Sequence, residues 1–195
     1  MMIGVSDEAH FELRPVYPIR TERLLLRPVT AADVDALYAY RSIPEVCRYV
    51  PFEPMERALI ESRLDSHWGT IELTAEGQAL TLGVELAATG ELVGDTVLFF
   101  HSQEHRSGEV GYMLNPAFGG HGYASEAVRE MLRLGFEGLG LHRITARIDE
   151  RNDASANLAR RIGMRQEALL IENEWFKGEW TNELVFAMLA REFKR

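Results

Sequence analysis

The chain has 195 residues, 46% hydrophobic and 26% charged, an ordinary balance for one globular domain or at most two small ones, of which one core is the simpler reading. A net charge of -9 argues against a broad electrostatic footprint for nucleic acid and would favour cationic substrates. The single cysteine, Cys47, cannot close an intramolecular disulfide, and no apolar run approaches the roughly 20 residues that cross a bilayer, so the chain reads as cytoplasmic with no membrane partner.

The start, MMIGVSDEAHFELRP, has no basic flank followed by an apolar block, so residues 1–19 are expected as a loose tail rather than a secretory signal, ahead of a single domain over 20–195. ERLLLRP, Glu22 to Pro28, reads as a short strand ended by proline, and Thr30 as the cap of a helix through AADVDALYAYRS. A second helical region is expected from about Met55 to Glu76, with Leu59, Ile60, Arg63, Leu64 and His67 at mixed three and four spacing. The period then changes to two. Leu80, Leu82, Val84 and Leu86 alternate with polar or small residues, ATGE turns the chain, and LVGDTVLFF returns as the second arm of a hairpin. In GEVGYML, Val110, Tyr112 and Leu114 share one face while Glu109, Gly111 and Met113 share the other, before Asn115-Pro116 breaks the strand.

From about Gly122 an apolar stripe of Ala124, Ala127, Val128, Met131, Leu132, Gly135 and Phe136 predicts a helix ended by the GLG at 138–140. HRITARIDE follows as a strand, DASANLARRIG as a short helix, and Arg165 to Asn173 and Trp180 to Ala190 as two further β segments. The expected class is α/β, or α+β: a sheet that is antiparallel at its start and flanked by helices.

The turn before the 122–136 helix carries the strongest chemical signal. A strand that runs through GGHGYA into a helix leaves several backbone N–H groups unpaired at the helix N-terminus, and its glycines allow close approach of an anion. Such a turn suits a pyrophosphate. It is neither G-x-x-x-x-G-K-[ST] nor G-x-G-x-x-G. Taken alone, a flexible turn before a helix would explain it equally well.

Four stretches together resolve that ambiguity. TERLLLRPVTAADVDALY, GEVGYMLNPAFGGHGYASEAV, NDASANLARRIGM and ENEWFKGEWTNELVFAML resemble, over about residues 20 to 190, the GNAT family of acetyl-CoA-dependent N-acetyltransferases, in particular its ribosomal-protein N-terminal branch. The resemblance implies a mixed, largely antiparallel twisted sheet flanked by helices, whose strands 4 and 5 splay to admit acetyl-CoA. It implies that the backbone of Gly120, His121, Gly122, Tyr123 and Ala124 holds the pyrophosphate, that the pantetheine lies along Tyr112, Met113 and Leu114, and that Asn152, Asn157 and Ser155 approach the pantetheine arm and thioester. It further implies direct transfer of the acetyl group to a primary amine, either a protein N-terminus or a small molecule, and a homodimer through the C-terminal strands. An acyl-CoA-binding sensor without turnover is the alternative.

Two departures from the pattern bear on the site. Gly119 stands where the family has Gln or Arg, which removes a side chain but no backbone amide. Ala159 stands where many members carry a proton-donating Tyr, which leaves Ser155 as the candidate donor to the thiolate. The attacking amine must also lose a proton, and a carboxylate is the expected base. Glu109 is the first candidate, because it shares a strand face with Met113, and Glu85 is the second. Backbone N–H groups around Met113 and Leu114 are candidates for stabilising the oxyanion. Asn152 also reads as an ordinary helix cap. Cys47 is expected to be structural. His101 and His105, four apart without a third ligand nearby, read as a loop pair rather than a zinc site, and no metal is expected. Trp175, Phe176 and Trp180 in ENEWFKGEW suit an acceptor pocket, a dimer contact or plain hairpin packing.

Overall fold

The structure, a computed structural model, describes residues 11–194. The first nine of these, expected to belong to a loose tail, are tied down instead. Leu13 is buried, and its amide and carbonyl exchange hydrogen bonds of 2.8 and 3.0 Å with Leu73. Strand β1 (Ile19–Arg20) then pairs with β2 (Leu24–Pro28). Residues 1–10 of the expected tail lie outside the described residues.

Thr30 caps a 3-10 turn (Ala31–Asp33) that runs into α1 (Val34–Arg41), with the Asp33 carboxylate accepting from the Thr30 amide at 2.8 Å. A short helix, α2 (Pro44–Cys47), begins with the proline at its first position, where a missing N–H costs nothing. The long second helix expected over residues 55–76 contracts to α3 (Arg57–Leu64). Its C-terminal half unwinds because Leu73 is fully buried in the pairing with Leu13, which a continuing helix would forfeit.

The two-residue alternation yields three antiparallel strands, β3 (Ala79–Leu86), β4 (Leu92–Ser102) and β5 (Ser107–Leu114). Strand β4 extends past its expected end with an irregularity between Phe100 and Ser102, so His101 lies on a strand and not in a loop. Helix α4 (Tyr123–Arg133) carries the chain across to β6 (Arg143–Asp149), which runs parallel to β5. Its predicted stripe is buried at Ala127, Val128, Met131 and Leu132 and continues through a π-helical turn, Leu134–Gly138. Helix α5 (Asp153–Arg161), β7 (Arg165–Phe176) and β8 (Glu179–Leu189) complete an eight-stranded sheet of order β1-β2-β3-β4-β5-β6-β8-β7, in which only the β5–β6 pair is parallel. Among the described residues no helix is long and apolar enough to cross a membrane.

The faces of the sheet carry two separate cores. Leu80, Leu82, Val84 and Val110 pack with α4 and α5 in the larger one, while Met113 and Leu92 join α1 and α3 in the smaller, with Tyr40, Ile60 and Trp68. Cys47 belongs to the smaller core, where its thiol donates to the Arg41 carbonyl at 3.3 Å. This core also holds an ion pair: Arg41 Nη2 lies 2.5 Å from Asp95 Oδ2, the Tyr40 hydroxyl donates to Asp95 Oδ1, and the guanidinium sits 4.6 Å from the centre of the Trp68 ring. The Asp stands mid-strand on β4, so the pair fastens α1 to the centre of the sheet.

Strands β5 and β6 are hydrogen-bonded over only three residues, Ser107–Glu109 against Arg143–Thr145. Beyond that they splay. Val110 to Leu114 and Ala146 to Asp149 each keep their outer neighbour, β4 or β8, but do not meet each other.

Candidate active site

At one end of the splay, the chain leaves β5 and enters α4 through Gly120 (φ 80°) and Gly122 (φ 82°), both in the left-handed region that a side chain would strain. Among the described residues, none of the amides from Gly120 to Ala124 has a hydrogen-bond acceptor. These are the orphan donors of a helix N-terminus, gathered by a glycine-rich turn that leaves them open. Arg23 braces the turn: Nη1 donates to the His121 carbonyl at 2.8 Å, the guanidinium lies 4.9 Å from the Tyr123 ring centre, and Nη2 pairs with Glu126 at 2.7 Å. Burial would raise the Glu126 carboxyl, but hydrogen bonds from Thr21 and Arg23 outweigh it and hold it below its ordinary range. The His121 ring stacks on Tyr123. Arg161, on α5, reaches Ser125 Oγ at 3.4 Å and adds a second cation beside the helix start.

Along the splay the backbone alternates. The Asn115 amide donates to the Val93 carbonyl on β4, so by the two-residue period Met113 and Gly111 also turn their backbone groups toward β4, and Val110, Tyr112 and Leu114 turn theirs into the gap. This corrects one expectation. Tyr112 and Leu114 offer amides and carbonyls to an extended ligand, whereas Met113 contributes a side chain buried in the smaller core.

The Tyr112 hydroxyl crosses to α5 and lies 3.1 Å from Ser155 Oγ, so the expected donor is held against a phenol. Burial raises the Tyr112 pKa against the opposing pull of the Ser155 hydrogen bond. Asn152 caps α5, its side-chain oxygen accepting from the Ser155 amide at 3.1 Å, and thereby fixes where Ser155 sits. Asn157 is not brought to the gap. Two residues past Ser155 it is turned about 200° around the helix, and it faces solvent with Oδ1 bonded to Arg160.

On the opposite sheet face, Glu109 lines a cavity of about 340 Å³ together with His101, Arg147, Asp149, Glu174 and Glu183. Burial raises the Glu109 pKa, and the pull of His101 and Arg147 only partly offsets this. Two of the other carboxylates are committed: Glu183 forms a two-pronged pair with Arg147 at 2.8 and 2.5 Å, and Asp149 one with Arg151 at 2.9 and 2.7 Å. Glu174 has no ion-pair partner among the described residues. Glu85, the second candidate base, does not line the Glu109 cavity. It pairs with Arg27 at 2.6 Å, and the register that aligns Ala79 with Phe99 and Glu109 leaves it six residues away along β3, about 20 Å.

Phe176 and Tyr49 line this cavity and a second one of about 700 Å³ beside it. Trp175 and Trp180 are exposed and packed edge to face on each other, 5.4 Å between centres. Sequence reasoning overlooked Arg23, Arg161 and Tyr49. It also passed over Arg147 and Asp149, although both alternate with Ile144, Ala146 and Ile148 on a strand it had already recognised.

Residues 23–165 match the family model described as the acetyltransferase (GNAT) domain. The chain belongs to the GNAT acetyltransferase family. An uncharacterized N-acetyltransferase of Bacillus licheniformis is 34% identical over 173 residues, covering 89% of this chain and 96% of that one. A solved GNAT acetyltransferase from Bacillus anthracis superposes with a TM-score of 0.80 at 31% identity over 89% of this chain and 99% of its own. A spermidine N-acetyltransferase from Vibrio cholerae, solved with CoA and spermine, shares the fold at a TM-score of 0.76 and 22% identity over 89% of this chain and 99% of its own. This GNAT chain is an acetyl-CoA-dependent acyltransferase, and its open amides, two flanking arginines and unpaired strand edges fit a cofactor made of a diphosphate and an amide-bearing arm.

Gly122→Asp tests that fit. The new carboxylate would enter the cradle next to Arg23, whose Nη2 lies 3.5 Å from where the Cβ would stand. A loss of about 2 kcal/mol is expected, raising the Kd for CoA roughly 30-fold by calorimetry. An unchanged Kd in a folded variant would remove the cradle assignment.

Proposed function

We propose that the chain acetylates a primary amine of a small polycationic molecule, with acetyl-CoA and acceptor bound together and no covalent enzyme intermediate. The observation that carries this reading is the acid-lined cavity opposite the Tyr112–Ser155 pair. Glu109 and Glu174 are its carboxylates not held by an arginine among the described residues, and Glu109 stands where the sheet parts. A bound ammonium gives its proton to Glu109, and the free nitrogen attacks the thioester carbon in the gap. One of the amides turned into the gap, that of Tyr112 or that of Leu114, polarises the carbonyl oxygen. Ser155 donates to the departing sulfur, which as a thiolate of pKa ~8.5 needs only modest help.

The adjoining cavity is mixed in charge, with Glu45, Glu53 and Glu179 balanced by Arg48, Arg151 and Lys177 and with Glu179 paired to Arg151 at 2.6 Å, so the acidic subsite is the cavity around Glu109. Relatives point the same way: the spermidine N(1)-acetyltransferase of Escherichia coli is 24% identical over 169 residues, covering 86% of this chain and 87% of its own. The resemblance to the ribosomal-protein branch would instead favour a peptide α-amine.

Thiol release from acetyl-CoA across polyamines, aminoglycosides, amino acids and peptides separates the two. Turnover is expected with polyamines, and turnover restricted to peptide N-termini would overturn the acceptor assignment. Ser155→Ala is expected to lower kcat about tenfold, since a good leaving group needs little protonation. An unchanged kcat would show that Ser155 is only a neighbour of the thioester.

A further inference from the structure

His101 has no place in the chemistry described so far, yet its imidazole is within ion-pair reach of the proposed base. Its Nε2 lies 3.4 Å from Glu109 Oε2, and both side chains line the same cavity. The ring stacks on Phe99, nearly parallel at 7° and 6.1 Å between centres, which fixes its plane. The two ends of the pair differ in their access to water: the Glu109 side chain is 24% exposed and that of His101 49%.

The neighbouring cation does not duplicate this contact. Arg147 is held by Glu183 and cannot carry a proton away, because a guanidinium does not deprotonate. Asp149 is held by Arg151, and Glu174 and Tyr49 complete the titratable groups around the pair.

We propose that His101 relays the acceptor's proton from Glu109 to solvent, an inference that rests on Glu109 being the base. The steps balance as follows. Glu109 takes one proton from the ammonium, and the amine nitrogen forms its bond to the thioester carbon while the C–S bond breaks. A second nitrogen proton reaches the thiolate, giving CoA-SH. Protonated Glu109 passes its proton to His101 Nε2, the resulting imidazolium releases the Nδ1 proton to water, the exposed ring regains its starting tautomer by proton exchange with solvent, and the carboxylate is ready for the next ammonium. Without the imidazole, a half-buried carboxylic acid would have to exchange with bulk water that an occupied cavity excludes. Imidazole suits the task because its ordinary pKa, near 6.5, lies between that of a carboxylic acid and that of an amine.

The test is chemical rescue in the full-length enzyme. His101→Ala is expected to lower kcat about 30-fold with little change in the KM for acetyl-CoA, and added imidazole is expected to restore kcat in a saturable manner. His101→Gln, which can still hydrogen-bond to Glu109 but cannot relay, is expected to be as slow as His101→Ala before rescue. Wild-type kcat in either variant would overturn the relay, as would a slow His101→Ala enzyme that imidazole does not revive. Glu109→Gln distinguishes this failure from that of the underlying reading: if Glu109→Gln is inactive while both His101 variants are fast, the base stands and the relay falls.

Discussion

Glu109→Gln is expected to lower kcat about 10³-fold, within the range contributed by a positioned general base, while the Kd for CoA stays at its wild-type value. The separation follows from geometry. Glu109 lies on the sheet face opposite Tyr112 and Ser155, and the amides of the Gly120–Ala124 turn belong to the other end of the gap. The same variant should be at least as stable as the wild type. Burial raises the Glu109 pKa, so the ionised carboxylate costs folding free energy once the pH exceeds the folded-state value, and an amide removes that cost. The wild-type kcat/KM should therefore fall, as pH decreases, from a pH above the ordinary carboxylate range, because catalysis needs the ionised form. Steady-state kinetics with calorimetry decide the matter, and a kcat within threefold of wild type would exclude Glu109 as the base.

Asp95→Asn is expected to produce the largest loss of stability, about 3–5 kcal/mol, seen as a fall in Tm of about 10 °C. The substitution leaves the Arg41 guanidinium buried against Trp68 without its anion, and Arg41 Nε already has no hydrogen-bond partner. It also replaces the acceptor of the Tyr40 hydroxyl. Replacing both charges, as Arg41→Met with Asp95→Leu, should recover most of the loss, since two removed charges leave none unpaired. Thermal unfolding of the two proteins checks this. A single variant that melts within 2 °C of wild type would mean that water reaches the pair.

The difference in legibility between elements has physical causes. Strands β3, β5 and β6 were readable because large apolar side chains alternate with polar or small ones along each, a period of two that β3 keeps although Leu80 to Val84 are buried on both faces. Asn152 was readable as a cap because a cap depends on residues three apart. The parting of β5 and β6 depends on how two distant strands register, so only the resemblance to other chains anticipated it. Leu13 fell within the expected tail and Leu73 within the expected second helix, and the bridge between them joins residues sixty apart, beyond the reach of any local period. Asp95 was a visible anomaly, one carboxylate within the apolar run LVGDTVLFF, but its partner Arg41 resembled any basic residue near a helix end. His101 was misplaced because the irregularity at the end of β4 lengthens the strand beyond its regular alternation.

Because its two cores share no residues, the sheet acts, under the function proposed above, as a partition between donor and acceptor. The proposed thioester surface rests on α4 and α5, and the proposed amine chamber opens on the α1–α3 side and the β7–β8 hairpin. Drift on the second side can redraw the clientele of the enzyme without disturbing its supply of acetyl groups, so one ancestral architecture can spread across many amines while its fuel stays the same.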